Sequence, residues 1–169
     1  MVSHNIKIGQ ELSLELLIKI QKEDTLVKIK NKALNLLKYR DRSKKELDKS
    51  LSYKGFDRQD ISLVLDDLEL KGFLDDEKFA RHLALHLVSV KMLGRIAVIN
   101  RFRKHGVDLN ILNAILDKLY DEYEPSSLIE RIIEKKTKFK KNKEKNNKQL
   151  LNHLKRKGFT WSEISNSLN

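Results

Sequence analysis

The 169-residue sequence predicts an all-α fold, an elongated, curved tandem of three three-helix repeats with helix-turn-helix-like units behind a short N-terminal extension. Three observations predict it. Apolar residues recur at three- and four-residue intervals from Asp24 onward, the spacing of one helix face. One Pro and six Gly leave few of the breakers that an all-β fold needs at its turns. Gly55, Gly106 and Gly158 stand 51 and 52 residues apart in matching surroundings, which marks a repeated supersecondary unit.

The extension covers residues 1–23. Asn5-Ile6-Lys7-Ile8 before Gly9 reads as a short strand or an extended arm, and Ser13 as the cap of a helix through Ile20. The first repeat region, 24–74, holds helices expected at about 25–40, 43–54 and 58–70. The second, 75–125, holds 76–91, 95–105 and 109–120, and the third, 126–169, holds 126–141, 147–157 and 161–168. The junctions carry the repeat. Each Gly sits just past a helix, where a left-handed residue ends the turn. An apolar residue follows (Phe56, Val107, Phe159), then a cap (Asp57, Asp108, Thr160) and, four positions on, Ile61, Leu112 or Ile164. The two apolar residues can close a hydrophobic staple that fixes the angle between helices. Leu74, Asp75 and Phe79 repeat the arrangement, with Asp24 and Ser126 each one period from Asp75. Ser43–Glu46 and Thr160–Glu163 spell capping boxes. A unit of about 50 residues has a marginal core alone, so neighbouring units are expected to pack on one another.

Charge is distributed unevenly. The chain has 35 Lys+Arg against 24 Asp+Glu, a net +11. Twelve of the basic residues fall between Arg131 and Lys157, against Glu134 and Glu144 alone. Within that run, Lys140–Lys148 reads as a solvated connection between helices. Such a cluster is either a binding surface, focusing a field toward polyanions or acidic proteins, or an ordinary solvated face. First helices of the repeats are basic, with Lys44, Lys45, Lys49 and Lys54, then Arg95, Arg101, Arg103 and Lys104, then Lys155, Arg156 and Lys157. Second helices are acidic or neutral, Asp57, Asp60, Asp66, Asp67 and Glu69 crowding the first of them. Two helices around a Gly turn resemble a DNA-reading helix-turn-helix, but those carboxylates would meet phosphates. Nonspecific phosphate contact by the basic first helices suits the charge better.

Several classes are excluded. The absence of Cys removes disulfides, thiolate zinc sites and Cys nucleophiles. The longest apolar stretch, Leu83–Val90, is far short of the roughly 20 residues that cross a bilayer. The start, MVSHNIKIGQ, has neither a basic region nor a clean apolar run, so no signal peptide is expected and a cytoplasmic location is. No phosphate loop, nucleophile elbow or paired-His zinc motif occurs. His82 and His86 share a helix face without a third ligand, and Asp75-Asp76 belong to a helix start, where the dipole favours negative charge. No enzyme, metal or cofactor is expected.

The motif Arg40-Asp41-Arg42-Ser43-Lys44-Lys45-Glu46-Leu47, then Lys54-Gly55-Phe56, then Gly72-Phe73-Leu74-Asp75-Asp76-Glu77-Lys78-Phe79-Ala80, resembles the bacterial RecX regulators of the RecA recombinase. Where the family usually has Lys-Gly-Pro and a later Ile-x-x-Glu-Leu, this chain has Lys91-Met92-Leu93-Gly94-Arg95-Ile96 and then Asn100-Arg101-Phe102, and residues 1–23 match only loosely. The resemblance implies nine helices in three tandem repeats. It also implies a regulator, taken to be monomeric, that lodges in the groove of the RecA nucleoprotein filament and inhibits ATP hydrolysis, strand exchange and the co-protease activity of the SOS response. The residues expected to meet RecA or DNA are Arg40, Arg42, Lys44, Lys45, Arg95, Arg101, Arg103, Lys104, Lys155, Arg156 and Lys157. The alternative is a helix-turn-helix-like DNA-binding protein acting independently of RecA.

Overall fold

The computed structural model describes residues 13–137 and 144–168, so the arm expected at Asn5–Ile8 lies outside the described residues. Among the described residues there are nine α-helices and one π turn, and no strand. The chain divides into two compact units, one reaching Arg40 and resuming over Leu47–Phe73, the other comprising Asp41–Glu46 and everything from Leu74 on.

The first unit is built on α1 (Leu14–Tyr39), against which α3 (Arg58–Leu70) packs, with the larger part of α2 (Lys44–Ser52). Ile29, Ala33, Leu47, Leu51, Ile61 and Leu68 are completely buried. Each such aliphatic side chain contributes about 1.5–3 kcal/mol of hydrophobic stabilisation, Ala less. The helix start differs from expectation. Ser13 does cap, its hydroxyl accepting from Leu16 N at 3.2 Å, but the helix runs unbroken to Tyr39 instead of restarting at residue 25. Asp24 lies inside it, exposed, and pairs with Lys28 at 2.7 Å. Residues 14–24 contain neither Gly nor Pro and consist mostly of good helix formers. A carboxylate in cap register starts a helix only where something has ended the previous one.

The second unit holds α4 (Asp76–Leu85), α5 (Arg95–Phe102), α6 (Leu109–Glu122), α7 (Pro125–Thr137), α8 (Glu144–Arg156) and α9 (Trp161–Asn166). Phe79, Val98, Phe102, Leu112, Ile129, Leu154, Phe159 and Ile164 belong to one buried cluster. The helix expected over 76–91 changes pitch at His86, and His86–Val90 form a π turn. Ser89 Oγ donates to Leu85 O at 2.7 Å, a local bond that competes with the α ladder. Met92 then takes φ +49°, a left-handed conformation uncommon outside Gly, and is nonetheless buried. The α8 helix begins at Glu144, so residues 144–148 are helical and not part of a connection.

The caps follow the sequence expectation. Asp57, Asp75, Asp108 and Thr160 all accept from backbone N–H groups of the first turn they precede, and Thr160 with Glu163 forms the reciprocal box. Ser43 Oγ accepts from Glu46 N at 3.2 Å. A second acceptor reaches the same helix start from far along the chain: Asp76 Oδ1 takes Lys44 N at 2.7 Å. The Gly158 junction also has a tertiary role. Its φ is +88°, and a Cβ there would stand 2.3 Å from Ala97 N, while one on Gly94 would stand 2.4 Å from Gly158 O. Two turns thus touch backbone to backbone, and Gly94 N donates to Lys157 O at 2.8 Å.

Candidate functional site

The cationic residues fall into distinct settings. Arg40 is exposed at the end of α1, and Arg42, half-buried, has its Nε enclosed without a hydrogen-bond partner. Lys44 offers its backbone to Asp76. Lys45 is exposed, and its methylenes run so close to Gly106 that a Cβ there would be 2.7 Å from Lys45 Cδ. In α5, Arg95 is committed within the unit. Its guanidinium pairs with Asp117, reaches Asn113 Oδ1 at 3.5 Å and lies 5.8 Å over the Tyr120 ring. Arg101, Arg103 and Lys104 are exposed.

The carboxylates of α3, which a helix-turn-helix reader would bring toward DNA, are engaged too. Asp60 is buried and pairs with Lys22, and Asp67 takes Lys30 at 3.0 Å and also Lys71. Hydrogen bonds from Lys71 and Lys30 hold the Asp67 carboxyl below its ordinary range. His82, of the histidine pair, sits 2.6 Å from Asp41, and no group of three metal-ligating side chains gathers among the described residues.

At the other end of the second unit, like charges converge. Arg101 lies in the last turn of α5, Lys135 and Lys136 in that of α7, and His153, Lys155 and Arg156 in that of α8. Helix C-termini carry partial negative charge, so each tolerates cations that would otherwise repel. They still feel one another. Burial pushes the Lys157 ammonium pKa down, and Lys135, Arg101, Lys136 and Lys91 push it further. His153 is lowered by burial first, then by Lys136, Lys157 and Arg156. The Lys157 ammonium donates to Lys91 O, which anchors it beside the α4–α5 turn.

Between α7 and α8 lies a groove of about 540 Å³ lined by Lys136, Gln149, Asn152, Lys155 and Arg156. Every one of these side chains carries N–H donors, and none is a carboxylate. Lys155 Nζ also stands 5.1 Å from the ring centroid of Trp161, which is 60% exposed at the start of α9. The sequence by itself points to Lys155, Arg156 and Lys157 but not to Lys136, Gln149, Asn152 or Trp161. The Arg131–Lys157 charge run contained the first of these; an amide or an aromatic residue on its own gives no signal without its neighbours in space.

The described residues thus form an all-helical protein of capped Gly junctions that bears a cationic groove on its second unit. Residues 30–68 match the family model described as RecX, first three-helix domain. A regulatory protein RecX of Pelodictyon phaeoclathratiforme is 33% identical over 138 residues, covering 80% of this chain and 84% of that one. Another, of Clostridium tetani, is 29% identical over 171 residues, covering 98% and 77%. A crystal structure of regulatory protein RecX superposes with a TM-score of 0.79 at 19% identity, covering 95% of this chain and 81% of that one, a likeness of fold. The chain belongs to the RecX family of regulatory proteins. No described helix is long and apolar enough to cross a membrane.

Proposed function

We propose that this protein is a noncatalytic cytoplasmic regulator that binds RecA, lodges in the groove of its nucleoprotein filament, and inhibits ATP hydrolysis, strand exchange and SOS co-protease activity. Family membership is the observation that carries this reading. Its physical support is the set of exposed cations at the end of α5, in the turn just after it and on α8, namely Arg101, Arg103, Lys104, Lys155 and Arg156, which suit acidic groove walls or the phosphates of the bound DNA. Tandem helical repeats offer several weak contacts to neighbouring subunits of a helical polymer, and linked weak contacts sum to useful avidity. The three repeat regions 24–74, 75–125 and 126–169 are the contact modules in this view. The test is DNA-stimulated RecA ATPase with stoichiometric purified protein. The rate is expected to fall, and to fall less with Arg101, Arg103 and Lys104 all changed to Gln. An unchanged rate with the wild-type protein overturns the proposal.

A further inference from the structure

The structure was built of helices that end in cations, and at one of those ends an aromatic ring stands in solvent. Trp161 is 60% exposed, although burying such a ring is among the larger apolar gains open to a protein. Its neighbour Lys155 belongs to two settings at once, the wall of the α7–α8 groove and the Trp161 ring. The rest of the groove is Lys136, Gln149, Asn152 and Arg156, a wall of donors. A phosphate group is an acceptor on all its outer oxygens, and an unpaired base has a flat π face. A duplex offers the first without the second, because its bases are stacked on one another.

The geometry points to a binding site for single-stranded nucleic acid on the second unit, with backbone phosphates in the α7–α8 groove and an unpaired base stacked on Trp161. This combination of a cationic groove with an aromatic platform holds single strands without regard to sequence. It deepens the DNA contact contained in the proposed function by naming the strand state and the residues. Lys155 is exposed on a long flexible stem, so its ammonium can turn from the ring to a phosphate as a base arrives. Gln149 and Asn152, neutral donors, add hydrogen bonds that salt does not screen in the way it screens the cations. A peptide of acidic residues alone meets the cations equally well but has no flat ring to lay on Trp161.

The experiment uses the full chain with RecA absent, so that its outcome is independent of RecA regulation. Trp161 is the only Trp in the sequence, and its fluorescence reports directly on stacking. An oligothymidylate of about 12 nucleotides, within the range one small site engages, is titrated at about 50 mM salt. Saturable quenching is expected, with duplex of equal length and polyglutamate of equal charge giving weaker binding and little quenching. In anisotropy with a labelled strand, Trp161→Ala is expected to bind about tenfold more weakly or worse, and Trp161→Phe to retain most affinity. Lys136→Gln and Arg156→Gln each lower the slope of log affinity against log salt by about one. Melting curves are recorded for every variant, and Trp161→Leu, which keeps an apolar contact but has no π face, replaces Trp161→Ala if the latter melts early. Equal affinity for duplex, equal quenching by polyglutamate, wild-type affinity in the variant without a π face, or no binding at low salt overturns the site.

Discussion

The α1–α3 pair and the meeting of α5, α7 and α8 use charge in opposite ways. In the first, lysines of α1 meet carboxylates of α3: Lys22 with the buried Asp60, Lys30 with Asp67. Local charge is cancelled inside the unit. In the second, burial first and then the shared field of Arg101, Lys135, Lys136, Arg156 and Lys157 depress the pKa values of Lys157 and His153. Charge there is accumulated at a standing electrostatic cost. An arrangement that works against folding stability persists more readily where the field serves a partner, and the pairing pattern therefore separates scaffold from candidate interface better than the count of basic residues does.

The junction glycines give the largest test of that contrast. Gly55 and Gly158 have the same hand, φ +84° and +88°, yet a Cβ on Gly55 meets nothing within 4 Å while one on Gly158 meets the backbone of α5. Gly158→Ala is expected to cost about 4 kcal/mol, strain plus overpacking, and Gly55→Ala only about 1 kcal/mol from the left-handed backbone. Chemical denaturation reads both, and equal losses would show that the close approach of the two turns does not exist. Phe79→Ala, which empties a buried site beside the His105 ring, belongs with the larger effect at about 3–5 kcal/mol. An unchanged melting temperature would remove Phe79 from the core.

Charge neutralisation gives a smaller and more pointed difference. Lys22→Met strands the Asp60 carboxylate, so the melting temperature should drop, whereas Lys135→Gln relieves repulsion on Lys157 and should leave it unchanged or higher at low salt. The same direction of change in both variants would mean that the two regions do not differ as described.

The smallest effect is on pH. His153 has a folded pKa below its ordinary 6.5, so the unfolded chain binds the proton more readily. Stability is full above pH 6.5 and declines as pH falls from there through the folded value. His153→Asn should flatten that part of the profile. Ligand works the other way, since a bound polyanion favours the imidazolium, so single-strand affinity should rise as pH falls below neutrality. An affinity that does not change between pH 8 and pH 6 in wild type and variant alike would place His153 outside the anion's reach.

Much of this molecule was legible in its sequence because the deciding interactions are local. Asp57, Asp75, Asp108 and Thr160 cap helices whose first residues follow them directly, and Gly55, Gly106 and Gly158 adopt the left-handed conformation expected of a helix end. Spacing of three and four predicted Ile61, Leu112 and Ile164 as buried, and they are. Local rules misjudged the restart at Asp24, where a cap-like residue sits in an uninterrupted helical stretch, and the cap at Ser126, which lies inside α7; they also missed the π turn at His86–Val90 and the helical start of α8 at Glu144. What tertiary structure alone decided is which charges are spent and which are left. Nothing near Arg95 in sequence reveals that Asp117 and Tyr120 hold it, nothing near Ser43 that Asp76 shares the capping of α2, and nothing near Gly94 that it must admit the backbone of Gly158. The physical reason is range. Caps and periodicity act within about one helical turn, where the chain itself holds the partners, whereas a field or a groove depends on residues that only folding brings together.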